Sequence, residues 1–113
     1  MLIKKENSKK KANSEACSVW EYEFPSKQLG IATALINGRY PEQGKAMNRQ
    51  CEMIYYVLSG SGIIHTEQGD FEMKEGDSFF FKTDQWYWVE GVNLFISLVN
   101  APTWFPEQYK ELS

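Results

Sequence analysis

One stretch constrains the whole chain. From Glu52 to Gly91 it reads E-M-I-Y-Y-V-L-S-G-S-G-I-I-H-T-E-Q-G-D-F-E-M-K-E-G-D-S-F-F-F-K-T-D-Q-W-Y-W-V-E-G. Short apolar or alternating runs are broken at near-regular intervals by glycine-containing turns, the pattern of an antiparallel β-barrel or sandwich. No segment carries the 3.6-residue period of a long helix. The expected fold class is therefore all-β.

The same rhythm extends to either side. Residues 18–24, S-V-W-E-Y-E-F, alternate between Val19, Glu21 and Glu23 on one side and Trp20, Tyr22 and Phe24 on the other. This predicts a strand with its aromatic face turned inward. Gly30 to Asn37 is a second strand candidate, ended by an Asn37-Gly38 turn signal. Glu52–Leu58 and Ile63–Glu67 flank a tight reversal at Ser59–Gly62. Phe71–Lys74, Ser78–Phe81, Trp86–Glu90 and, after Gly91, Leu94–Val99 complete the strands. Pro106 and Glu107 suit the start of one short C-terminal helical turn over residues 106–112.

With 113 residues, 42% of them apolar, the chain reads as one domain able to bury a core. Its Lys residues cluster at Lys4, Lys5, Lys9, Lys10 and Lys11, so residues 1–16 read as a flexible basic arm and 17–113 as the barrel domain. The net charge of −3 gives no case for nucleic acid as the main partner. No apolar run approaches a membrane span and no cleavable leader is visible. Cys17 and Cys51 lack metal-ligand spacing and read as free thiols of a reduced, cytoplasmic protein. Aromatic residues make up 15% of the chain, more than a small core easily hides, so some are expected to line a pocket or a partner surface.

Y-Y-V-L-S-G-S-G at 55–62, E-G-D-S-F-F-F at 75–81 and K-T-D-Q-W-Y-W-V-E-G at 82–91 together resemble the small single-domain cupins. The resemblance covers roughly residues 30–107 and implies a double-stranded β-helix, a jelly-roll-like barrel. In that family two motifs, G-x5-H-x-H-x3/4-E-x6-G and G-x5-P-x-G-x2-H-x3-N, commonly hold a metal. Here Met53 stands at the glutamate position, with Glu52 one residue earlier. Ala46 and Asn48, or Met47 and Arg49 in the shorter register, stand at the first two histidines, and Tyr87 at the last. The spacing survives while the ligand chemistry does not, so neither a metal nor another cofactor is expected.

Extending that register implies an inward row of Asn48, Cys51, Met53, Tyr55 and Val57, faced by Gln85, Tyr87 and Val89. Phe79 and Phe81 would close the floor, with Tyr40 and Arg49 at the mouth. The ligand-binding set implied is Tyr40, Asn48, Arg49, Cys51, Met53, Tyr55, Phe81, Gln85 and Tyr87. Such a lining suits a small metabolite, carbohydrate-like or otherwise polar and aromatic, although the same rings could simply fill a narrow barrel. Trp86, Trp88, Ile54, Tyr56 and Leu58 would point outward, where a second copy in a homodimer is the favoured cover.

Three functions are in view: a metal-free ligand-binding cupin, a metal-independent sugar isomerase or epimerase, and a sensor or interaction module. The isomerase requires a base, and His65 with Tyr55 or Tyr87 would supply the pair only if His65 points into the barrel. No residues encode a helix-turn-helix output domain for the sensor.

Overall fold

The computed structural model describes residues 1–113 as nine strands, with single 3-10 turns at Lys5–Asn7 and Pro106–Gln108. In chain order the strands are β1 (Lys9–Ser14), β2 (Cys17–Tyr22), β3 (Gly30–Tyr40), β4 (Lys45–Asn48), β5 (Glu52–Thr66), β6 (Gly69–Lys74), β7 (Ser78–Phe81), β8 (Trp86–Ala101) and β9 (Tyr109–Leu112). All pairings are antiparallel, so the all-β expectation holds.

Strands β5 and β8 are the spine. They pair from Glu52↔Ala101 to Thr66↔Tyr87, with irregularities between Val57 and Ser61. Strand β3 lies on the other edge of β8 and carries β2 and then β1. Strand β4 bridges the start of β8 to β9, while β6 and β7 each extend one half of β5. Two strands that bend along their length let the sheet curl on itself.

Three expected turns are bends inside continuous strands. The tight reversal at Ser59–Gly62 does not form, and β5 runs through it. Gly60 adopts φ +77° and faces the Asn93 carbonyl, where a Cβ would collide with the backbone. Gly91 likewise does not divide two strands, because it lies against the Ile36 carbonyl within β8. Asn37-Gly38 marks a register shift in β3, which continues to Tyr40. In each case an unbroken partner strand absorbs the irregularity as a bulge, and the glycine permits close backbone approach.

Residues 9–14, expected within the flexible arm, form a strand. Lys9 and Lys11 meet the carboxylates of Glu23 and Glu21 at 3.0 and 2.9 Å, and the Lys10 ammonium lies 5.4 Å from the Trp20 ring centroid. The basic run pairs across to the acidic alternation of β2, which reading residues 1–16 by themselves did not take into account.

The face of β2 follows the expectation only in part: Tyr22 and the following Phe24 line the cavity, but Trp20 does not. Cys17, Val19 and Glu21 line the interior, whereas Trp20 packs edge-on to Phe95, 6.3 Å between centroids, on the outer surface. Outer Phe95 gave Trp20 a partner that alternation within β2 cannot reveal. At the C-terminus only Pro106–Gln108 is helical. The rest of the expected helical turn is β9, paired to β4 from Lys45↔Leu112 to Asn48↔Tyr109.

One end of the barrel is packed solid by Ile36, Val57, Ile64, Val89, Leu94 and Ile96, each essentially inaccessible to solvent. The other end is not filled. Inward positions of β3 there carry Ala32 and Ala34, too small to reach across, and an interior space remains.

Candidate functional site

That space is a cavity of about 440 Å³, open at a rim formed partly by the Lys11–Glu21 ion pair. Strand periodicity positions its walls. Met53 and Tyr55 point in from β5, Tyr87 and Leu98 from β8, and Ala32 and Ala34 from β3.

One end of the cavity is rich in phenols. The Tyr40 and Tyr109 hydroxyls are 2.7 Å apart, and Tyr109 Oη donates to Glu111 Oε2 at 3.0 Å, so Tyr40 is the donor between the two tyrosines. Tyr55, Tyr87 and Asn48 line the same cavity. Asn48 Oδ1 accepts from Gln108 Nε2 at 2.8 Å. Gln108 is itself fully buried, and its Oε1 accepts from the Cys51 and Gln50 amides at 3.2 and 3.3 Å. Asn48 is therefore held by a carboxamide that is itself anchored to backbone.

Burial disfavours every phenolate here. It pushes Tyr40 up to about 12 and raises Tyr55, Tyr87 and Tyr109 as well, with charge on a neighbouring tyrosine adding to the rise at the last three. Burial also raises the Cys17 thiol to about 11. At neutral pH these phenols and the thiol are consequently protonated, so they donate hydrogen bonds and do not act as bases.

Of the residues nominated from sequence, Tyr40, Asn48, Met53, Tyr55 and Tyr87 line the cavity together. Four do not. Arg49 is exposed and pairs with Asp84 at 3.5 Å, outside the cavity, because the chain leaves the β4 register at that residue. Cys51 is buried, but its thiol donates to the Pro102 carbonyl at 3.3 Å. Phe81 lies behind the wall against Tyr55 and Tyr87, with centroids 4.7 and 4.6 Å away. Gln85 is buried but accepts from the Lys82 amide at 3.2 Å, bracing the corner before β8.

Sequence reasoning missed Tyr109, Asn100 and Trp104 as lining residues. Tyr109 was hidden by the helical reading of residues 106–112. Asn100 follows Leu94, Ile96 and Leu98 at the same parity, a signal that was present one residue beyond the expected strand end.

His65 does not enter the cavity. Its ring stacks on Trp88 at 3.7 Å, with Nδ1 2.6 Å from Asp70 and Nε2 2.7 Å from Glu90. Buried Ile64 and Thr66 on either side take the inward positions, so alternation turns His65 outward. The proposed pairing of His65 with Tyr55 or Tyr87 is geometrically impossible. Trp88 is further covered by Arg39, 4.2 Å from its ring, and Trp86 by Lys45 at 3.9 Å. These cations, with His65, supply part of the cover expected from another subunit.

The donor set does not suit a transition metal. Buried Ala46, Asn48, Met53 and Tyr87 stand where the cupin ligands would be, and no group of three His, Cys, Asp or Glu side chains is arranged to hold a metal ion. A methyl, a carboxamide, a thioether and a protonated phenol do not replace three imidazoles and a carboxylate.

No family model matches the chain, and no curated protein matches it. Solved structures do. Pac13, a nucleoside dehydratase, superposes with a TM-score of 0.88 at 14% identity, over 99% of this chain and 90% of that one. A Tyr→Phe variant of Streptomyces PAC13 with uridine gives 0.89 at 14% identity, over 99% and 89%. KdgF from Halomonas sp. gives 0.70 at 11% identity, over 83% and 87%. These are cupin folds, and this chain has the cupin fold. Among its relatives in shape are proteins that bind small molecules. No helix is long and apolar enough to cross a membrane.

Proposed function

We propose that this protein is a metal-free cupin that binds a small hydroxylated metabolite in the aromatic cavity. The observation that carries this reading is the cluster of protonated phenols, Tyr40, Tyr55, Tyr87 and Tyr109, around a cavity of about 440 Å³. That volume lies within the roughly 300–1,000 Å³ of small-molecule sites. Phenols combine a stacking face with a hydroxyl, which suits sugars and planar rings alike. Likeness to a nucleoside dehydratase studied with uridine supports a ligand of nucleoside size.

Binding is favoured over isomerase chemistry because the cavity's phenols offer donors and no base. With His65 outside, the carboxylates that line the cavity are Glu21 and Glu23, paired to Lys11 and Lys9, while Glu111 is held by the Tyr109 hydroxyl. Buried, separate Cys17 and Cys51 fit a reducing compartment, which supports a cytoplasmic protein.

The outer face supports a homodimer. Ile31, Val99, Ile54 and Phe80 lie in one cross-strand row over β3, β8, β5 and β7, all exposed and without a charge among them. Tyr56 and Leu58 continue the patch along β5. A two-fold contact between copies would bury the row against itself.

Thermal-shift screening against sugars, nucleosides, sugar phosphates and organic acids tests the function. A ligand at ~100 Kd adds about 2.7 kcal/mol of stability. The shift should vanish in Ala34→Phe, which fills the cavity. Failure of every class, or stoichiometric transition metal in the purified protein, overturns the reading.

A further inference from the structure

Asn100 differs from every other buried carboxamide in the chain. Its residue is 4% exposed, it lines the cavity, and its Oδ1 is buried without a hydrogen-bond partner. Asn48 is bonded to Gln108, Gln108 also to the Gln50 and Cys51 amides, and Gln85 to the Lys82 amide. An unsatisfied buried amide costs the free protein stability, so its retention calls for a partner from outside the fold.

The surroundings narrow that partner. Asn100 sits opposite Gly30 on β3 and Met53 on β5. Leu98, Leu29 and Trp104 also line the cavity, and Thr103 closes over Gly30, with its methyl 3.3 Å from where a Cβ on that glycine would lie. A polyol among thioether and leucine side chains would leave hydroxyls unpaired. A flat heterocycle presents apolar faces to Met53, Leu98 and Trp104 and needs only one polar edge satisfied.

We infer that Asn100 is a specificity-determining residue whose carboxamide receives the N–H/C=O edge of an imide or lactam ring, while the hydroxylated part of the same ligand meets the phenols. This rests on the small-metabolite reading of the cavity. Oδ1 accepts the ring N–H, Nδ2 donates to the adjacent ring carbonyl, and Trp104 offers a stacking face.

Calorimetry with uridine, 3-methyluridine and methyl riboside separates the two proposals. Wild-type protein should bind uridine about tenfold or more tightly than 3-methyluridine, whose methyl removes the ring N–H. Asn100→Leu should weaken uridine by a similar factor, abolish the preference, and melt no lower than wild type without ligand. Asn100→Asp, which keeps the shape and removes the amide donor, should also lose uridine affinity. Equal affinity for the two nucleosides overturns the role of Asn100, as does an unchanged preference in Asn100→Leu or a lower ligand-free melting temperature. Binding of methyl riboside without uridine overturns the heterocycle subsite and leaves metabolite binding standing. If none of the three binds, this inference fails, and the wider ligand screen decides the broader reading.

Discussion

The hydroxyls of Tyr40 and Tyr109 meet at 2.7 Å although the residues lie 69 positions apart, one on β3 and the other on β9. Their contact ties the C-terminal strand to the cavity and passes on to Glu111. Both phenols are held protonated by burial, with Tyr40 raised to about 12. In the unfolded chain a phenol ionises near pH 10. Between that pH and the folded value the native state holds the extra protons, so stability declines as pH rises past about 10. An absorbance titration should show Tyr40, Tyr55, Tyr87 and Tyr109 resisting ionisation until pH 12 or unfolding. Six tyrosines titrating together near pH 10 would contradict the buried cluster.

Gln108 connects the backbone at Gln50 and Cys51 to the Asn48 side chain. Gln108→Ala should cost about 1–3 kcal/mol in urea unfolding, because it strands buried donors and an acceptor. It should also weaken ligand binding by freeing Asn48 to rotate. A loss below about 0.5 kcal/mol would mean that water replaces the side chain at no cost.

His65 is the only histidine, so its proton NMR titration is read directly. Burial alone would lower its pKa, but the hydrogen bonds its ring N–H groups donate to the Glu90 and Asp70 carboxylates outweigh this and raise it. The stabilisation from the charged ring is fully present below pH about 6.5 and is lost as pH rises through the elevated value. His65→Gln should flatten this pH dependence while leaving cavity binding unchanged. A His65 midpoint at or below 6.5 would contradict the ion-pair geometry.

The apolar row on the outer face is tested by sedimentation. Wild-type protein should be a dimer, and Phe80→Glu or Ile54→Glu should yield a folded monomer by placing charge at its centre. A monomeric wild type at concentrations of about 100 µM would refute the dimer, since a stable interface has nanomolar to micromolar affinity.

Much of the fold was legible because period-2 alternation is a local property. Met53, Tyr55 and Val57 against Ile54, Tyr56 and Leu58 were assigned to opposite faces from sequence, and burial follows that division. The lengths of β5 and β8 were less legible, because a glycine inside a bulge and a glycine inside a turn look alike until the partner strand is known. Gly60 and Gly91 are such cases. Five lining residues of the cavity could be inferred from the cupin register. Arg49, Cys51, Phe81 and Gln85 could not be placed correctly, since parity says which way a side chain points and not what lies behind it.

The stretch from Glu52 to Gly91 by itself pointed to an antiparallel barrel, and with Ala46 and Asn48 just before it, to one without the usual cupin ligands. Apolar spacing and residue identity are written directly in the sequence. Only the tertiary structure decided that His65 turns outward to two carboxylates, that Tyr109 returns from the C-terminus to meet Tyr40, and that Asn100 is left without a partner. The Tyr40–Tyr109 contact and the setting of Asn100 depend on strands far apart in the chain, and the pairing of His65 with Glu90 on β5 and β8 meeting in one register, none of which a local pattern encodes.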